Sequence, residues 1–160
     1  MSCGHDHDHD TLDAAAIGRT LGAAEARCTA EGERMTAPRR RVLELLLAAG
    51  EPVKAYDLIA RYGTDGQAAK PPTVYRALEF LERKGMAHRI ASISAYVACA
   101  GSSDGADHAA AFLICDCCGA AQEVTTPVGQ TFALAADAAG YAIDRITIEG
   151  HGRCSDCRNG

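Results

Sequence analysis

The 160-residue chain reads as an α+β protein in two parts, a winged helix-turn-helix followed by a small α/β domain stapled by a zinc on four cysteines. Three observations predict this. Cys115/Cys118 and Cys154/Cys157 form two Cys-x-x-Cys pairs, the spacing at which thiolates converge on one tetrahedral Zn2+. A stretch opened by Pro71-Pro72 and closed by Gly85 is followed by apolar alternation, the order of a helix and then a hairpin. Between these features, 101–105 reads Gly-Ser-Ser-Asp-Gly, a composition that separates domains. The expected boundaries are a His/Asp-rich tail at 1–10, the winged helix at 11–98, a hinge at 99–107 and the dimerisation and zinc-binding domain at 108–160.

Taken in order, the opening residues have no apolar periodicity and are expected to be disordered. Their alternating His5, His7 and His9 with aspartates could bind divalent metal loosely or form a solvated acidic tail. An Ala-rich stretch with Leu12, Ile17 and Leu21 predicts a helix over 11–30, with Cys28 as a small buried apolar residue. Thr36 and Pro38 open a second helix, whose face of Val42, Leu43, Leu45, Leu46 and Leu47 ends at Gly50. Arg39-Arg40-Arg41 lies in its first turn. Cations there oppose the helix dipole, which suggests a nearby phosphate or else a solvated basic face. Residues 53–62 predict a short helix with Tyr56 and Leu58, broken by 63–66.

The next helix, 70–85, turns Val74, Ala77, Leu78 and Leu81 inward and leaves Thr73 and Arg76 on the opposite face. Alternation through Ile90, Ser92, Ser94, Tyr96 and Val97 then predicts a two-stranded wing. Beyond the hinge, strands are expected at 109–114, 121–124 and 141–149, with a helix at 128–139. Gly119, directly after Cys118, suits the left-handed turn of a zinc knuckle. The same four thiols could instead form two disulfides or stay buried and reduced. No secretory leader opens the chain, so a reducing compartment and zinc are expected.

Charge follows the division. Residues 33–95 carry 11 basic and 7 acidic side chains, a net of +4, while 1–32 carry 2 and 6 and 100–160 carry 3 and 8. A basic middle between acidic ends suits a nucleic-acid reader joined to a module that does not touch nucleic acid. No apolar run approaches the roughly 18 residues that span a bilayer, so no membrane partner is expected. A second donor set, His88, Cys99, His108 and Glu123, straddles the hinge in sequence and offers two imidazoles, a thiolate and a carboxylate. It would complete a tetrahedral Zn2+ site, although its spacing alone is not diagnostic.

Pro71-Pro72-Thr73-Val74-Tyr75-Arg76-Ala77-Leu78, Cys115-x-x-Cys118-Gly119 and Cys154-x-x-Cys157 resemble the ferric uptake regulator family over about residues 15–158. Ala55-Tyr56-Asp57-Leu58, Ser94-Ala95-Tyr96-Val97-Ala98-Cys99 and the run 112–120 resemble its zinc uptake regulator branch. The resemblance implies a cytoplasmic homodimeric repressor of zinc-uptake genes. Its C-terminal domains would pair and present two winged helices to palindromic double-stranded operator DNA.

It further implies structural zinc at Cys115, Cys118, Cys154 and Cys157, and regulatory zinc, the corepressor, at His88, Cys99, His108 and Glu123. Tyr56 and Arg76 match base-contacting positions. Thr73 and Tyr75 share their surface, and Lys70 with Arg39-Arg40-Arg41 would meet phosphates. No small organic substrate is expected, since neither His-Glu-x-x-His nor a deaminase His-x-Glu pattern is present. An iron or peroxide sensor of the same family, or a zinc buffer or delivery protein, is the alternative. Cys117 lies inside the knuckle and is expected to point away from the metal, and His151 to be a surface residue or a partner to the ligands.

Overall fold

The computed structural model describes residues 12–63, 70–99 and 109–159, and the chain divides into two compact units at Cys99. The His5/His7/His9 tail, Cys3, most of the 63–66 break, residues 100–107 of the hinge and His108 lie outside the described residues.

In the N-terminal unit, α1 spans Ala14–Ala30 and starts later than the Ala-rich pattern suggested. The reason is Asp13, whose carboxylate accepts from the Ala16 backbone N–H at 2.6 Å and caps the helix. α2 (Ala37–Ala49) has Pro38 in its first turn and ends at Gly50, held at φ 62 in the left-handed conformation that glycine tolerates. Val53–Lys54, expected to be helical, form a short strand, β1, before α3 (Ala55–Tyr62). α4 (Pro71–Arg83) follows, with both prolines at its start.

β2 (Ala87–Ile90), a single 3-10 turn at Ala91–Ile93 and β3 (Ala95–Ala98) make the wing. β1 adds to the far edge of β3, so the sheet has three strands in the order β1-β3-β2. Leu46, Leu58, Val74, Leu78 and Leu81 are all but fully buried in one core that α2, α3 and α4 share. The Arg27 guanidinium donates to the carbonyl of Lys84, and Lys84 Nζ pairs with Glu31 at 2.7 Å and Glu33 at 3.2 Å. The end of α1 is thereby tied to the end of α4.

In the C-terminal unit, β4 (Ala110–Cys115) is the central strand. It pairs antiparallel with β5 (Ala121–Val124) and parallel with β6 (Thr147–Gly152). The parallel return needs a crossover, and α5 (Val128–Ala138) supplies it. The third strand therefore starts at Thr147 and not at 141. Tyr141 and Ile143, whose alternation suggested sheet, are exposed at 72% and 38% and pair with nothing in the ladder. A short helix, α6 (Ser155–Asn159), carries the last cysteine. The fold expected from sequence is confirmed in outline, with these shifts.

Candidate metal centre and nucleic-acid face

The four paired cysteines come together. Cys115 ends β4, Cys118 sits in the knuckle, Cys154 follows β6 and Cys157 lies in α6. Their sulfurs all lie within 4.8 Å of one another, and Cys118 and Cys154 are 3.9 Å apart. Tetrahedral zinc with bonds of about 2.3 Å would separate its sulfurs by about 3.8 Å, so the cage has the size for Zn2+.

Local backbone builds it. Gly119 is held at φ 77, its N–H donates to the Cys115 carbonyl at 2.9 Å, and the Asp116 N–H donates to the Gly152 carbonyl at 2.8 Å. The backbone N–H groups of Cys118, Cys154 and Cys117 converge on the Cys115 sulfur and pull its pKa down to about 6. That thiolate is prepared for a cation. Burial, followed by the neighbouring thiols, pushes Cys157 up, as expected of a thiol that releases its proton to solvent only when a metal takes its place.

Cys117, expected to point away from the metal, is exposed and lies outside the four-sulfur cluster, although its thiol is among the groups that raise Cys157. His151 is bracketed by two carboxylates, Asp116 at 3.1 Å from Nδ1 and Glu149 at 3.6 Å from Nε2. The Asp116 carboxylate leads in raising its pKa above the usual value. Because the two acids sit on opposite ring nitrogens, this arrangement clamps the knuckle to β6 and does not form a cation cage.

Of the second donor set, His88 and Cys99 lie in the N-terminal unit. His88 pairs with Val97 across β2 and β3, and the Cys99 N–H donates to the Met86 carbonyl at 3.0 Å, which places Cys99 as the diagonal neighbour of His88 on one face. A ring nitrogen and the thiol come within 4.8 Å. His88 is buried, the only polar or charged side chain so classed among the described residues. Glu123 is half-buried on β5, opposite Phe112, in the C-terminal unit.

Most of the residues expected to meet nucleic acid are exposed in the N-terminal unit. Tyr56 on α3 is 79% exposed and Tyr75 on α4 is 51% exposed, with no packing role to account for either. Arg76 is exposed beside Tyr75, Thr73 is half-buried, and Lys70 is exposed at the start of α4. The arginine run has partners within the unit. Arg40 pairs with Glu25 at 2.7 Å and Arg41 with Glu44 at 2.8 Å. Arg39 stacks 3.5 Å from the Phe80 ring centre and donates to the Arg34 carbonyl. All three have partners inside the unit. Sequence reasoning had no signal for the Arg39–Phe80 contact, which joins α2 to α4 and which Arg83 extends at 5.4 Å.

Residues 30–151 match the model of the ferric uptake regulator family. The chain belongs to that family. The zinc uptake regulation protein of Escherichia coli K12 is 38% identical over 138 residues, covering 86% of this chain and 80% of its own. The fold matches a zinc uptake regulator complexed with zinc and DNA at a TM-score of 0.80, with 36% identity, over 89% of this chain and 95% of that one. It matches holo XcZur at 0.76, with 39% identity, over 89% and 99%. Ferric uptake regulators from Helicobacter pylori and Vibrio cholerae share only 16% and 20% identity and attest the fold alone.

Proposed function

We propose that this protein is a zinc-responsive, DNA-binding transcriptional repressor of zinc-uptake genes, with Zn2+ as corepressor. The observation that carries the reading is that one chain joins a four-cysteine cage of zinc dimensions to an exposed Tyr56/Tyr75/Arg76 face, in a fold matched at 0.80 by a regulator complexed with zinc and DNA. Cys115, Cys118, Cys154 and Cys157 hold the structural ion, and His88, Cys99, His108 and Glu123 hold the regulatory one. A bound Zn2+ supplies a positive centre that fixes four donors at set lengths.

The rest falls to the chain's own residues. His88 and Cys99 bring a neutral imidazole and a thiolate from the wing, while His108 and Glu123 bring theirs from beyond the hinge. Metal occupancy and operator binding are then linked, so DNA tightens zinc binding by the factor that zinc tightens DNA binding. Arg76 reads a base edge, Tyr56 packs against bases, Thr73 and Tyr75 complete the contact and Lys70 meets phosphate.

The C-terminal unit exposes Leu113, Val128, Phe132, Leu134 and Tyr141, each between 52% and 72%. That much apolar surface on one small unit suits burial against a second copy, giving a homodimer whose two winged helices read a palindrome. Among the described residues no helix is long and apolar enough to cross a membrane, and the site of action is the cytoplasm, where DNA and reduced thiols coexist. The family consists of transcriptional regulators, and the chain acts without an enzymatic step.

The test is operator binding by the purified dimer at buffered free zinc, compared with Cys99→Ser. Binding that switches on with zinc in the native protein and not in the variant supports the reading. Binding that ignores zinc and follows Fe2+ or Mn2+ would establish an iron or peroxide sensor, and metal uptake without DNA binding a zinc buffer.

A further inference from the structure

Phe80 lies on a flank of α4 that is otherwise polar. Thr73, Arg76, Phe80 and Arg83 follow one another at helical spacing along one row, while Val74, Ala77, Leu78 and Leu81 face the core. The Phe80 side chain is nevertheless only 3% exposed, so a neighbour must cover it. Arg39 does: its guanidinium lies 3.5 Å from the ring centre, and that of Arg83 stands at 5.4 Å.

Arg39 reaches the ring from the first turn of α2, on the stripe that Leu43 and Leu46 continue into the core. Its other anchor is the Arg34 carbonyl, in the segment leading into α2, to which Nη1 donates. A planar group held at its edge by a carbonyl and on its face by a ring has little freedom to turn. α4 is thereby braced on this flank against α2. At its far end the same helix is held by the Lys84 pairs with Glu31 and Glu33 and by Arg27 on the Lys84 carbonyl. The Arg39–Phe80 contact is the brace nearer the exposed face, one turn from Arg76.

We propose that Arg39 is a positioning residue for sequence readout: stacked on Phe80, it fixes the roll of α4, and so the aim of Arg76 at its base edge, without itself binding phosphate. This rests on the operator reading and on the role given to Arg76 above. A roll that slackens at Phe80 is carried along the same row to Arg76. The directional bond that discriminates bases suffers from it more than phosphate contacts, which carry no sequence information.

The experiment compares native protein, Arg76→Ala, Arg39→Lys, Phe80→Leu and the Arg39→Lys/Phe80→Leu double variant, each as full-length dimer at saturating zinc. Affinities are measured at several salt concentrations for the operator and for an operator altered at the base pair that Arg76→Ala ceases to discriminate, with a thermal melt of each protein. Arg39→Lys keeps the charge and loses the planar stack. It should lower the affinity ratio about fivefold or more, the low end of what one bidentate base contact contributes, and leave the salt slope at the native value. Phe80→Leu should do the same, and the double variant should be no worse than either single change, since both remove one contact. Lysine would preserve a phosphate contact, so a native ratio in Arg39→Lys overturns the proposal. A ratio that stays native while the melting temperature falls, the mark of a merely structural role, also overturns it, as does a double variant whose losses add. Where Phe80→Leu does not fold, Arg39→Lys alone decides. If native protein binds no operator, or Arg76→Ala discriminates as native does, the underlying reading falls and this inference with it; discrimination through Arg76 beside an unaltered Arg39→Lys removes this inference alone.

Discussion

Replacing Cys157 by serine should unfold the C-terminal unit and leave the N-terminal one intact. Cys157 is buried in the cage, and a serine hydroxyl is a far poorer zinc ligand than a thiolate. The magnitude follows from what else holds that unit together. Its buried large apolar side chains are Phe112 and Ile114, accompanied by Ala110 and Ala111. Burying the two large ones contributes about 3–6 kcal/mol, at about 1.5–3 kcal/mol each. A structural zinc is worth on the order of 10 kcal/mol or more at neutral pH. The metal outweighs the core, and α5 adds little because its apolar side chains face outward.

The N-terminal unit stands on the opposite footing, with Leu46, Leu58, Val74, Leu78 and Leu81 closing a core that touches no cysteine ligand. Amide hydrogen exchange on Cys157→Ser, and on native protein stripped by a strong chelator, should show protection lost across β4, β5 and β6 and kept across α2, α3 and α4. Retained protection in β4–β6 after zinc loss would refute the reasoning, since it would mean that packing alone sustains the unit.

Further outcomes are expected on the two working faces. Arg76→Ala should cost about 1–3 kcal/mol of discrimination between operator and altered sequences, whereas Lys70→Ala should weaken both alike and reduce the salt slope by about one, read by anisotropy titrations at several ionic strengths. Leu134→Asp, at a site 72% exposed, should leave the monomer fold intact and shift sedimentation from dimer toward monomer. An NMR titration of His151 should place its midpoint above 6.5, and Asp116→Asn should lower it. Since the folded-state value is the raised one, the stability this charge adds is present at acid pH and lost as pH rises through that midpoint.

How much the sequence disclosed varied with how local the signal was. α4 was legible because prolines at one end, Gly85 at the other and a 3.6-residue apolar period agree, and Val74, Ala77, Leu78 and Leu81 are all buried. The cysteine cage was legible because spacing alone restricts what two Cys-x-x-Cys pairs can do. The partners of the arginine run were not legible because Glu25 and Phe80, which meet Arg40 and Arg39, lie on other helices, beyond any local pattern. α6 was missed because five residues carry no periodicity.

The third strand shows where such patterns mislead. β6 runs Thr-Ile-Glu-Gly-His-Gly, two glycines and a histidine that no strand propensity favours, and it forms because β4 offers a parallel edge and Cys154 must return to the knuckle. Tyr141 and Ile143 carry the apolar alternation and stay exposed. Alternation reports a face that will be covered without saying by what, and the monomer's own sheet is only one candidate. In a unit with so small a core, the exposure of Tyr141, Ile143, Phe132 and Leu134 is intelligible if selection placed those side chains for a second subunit. The residues that misled the strand assignment are then the same ones that argue for the dimer.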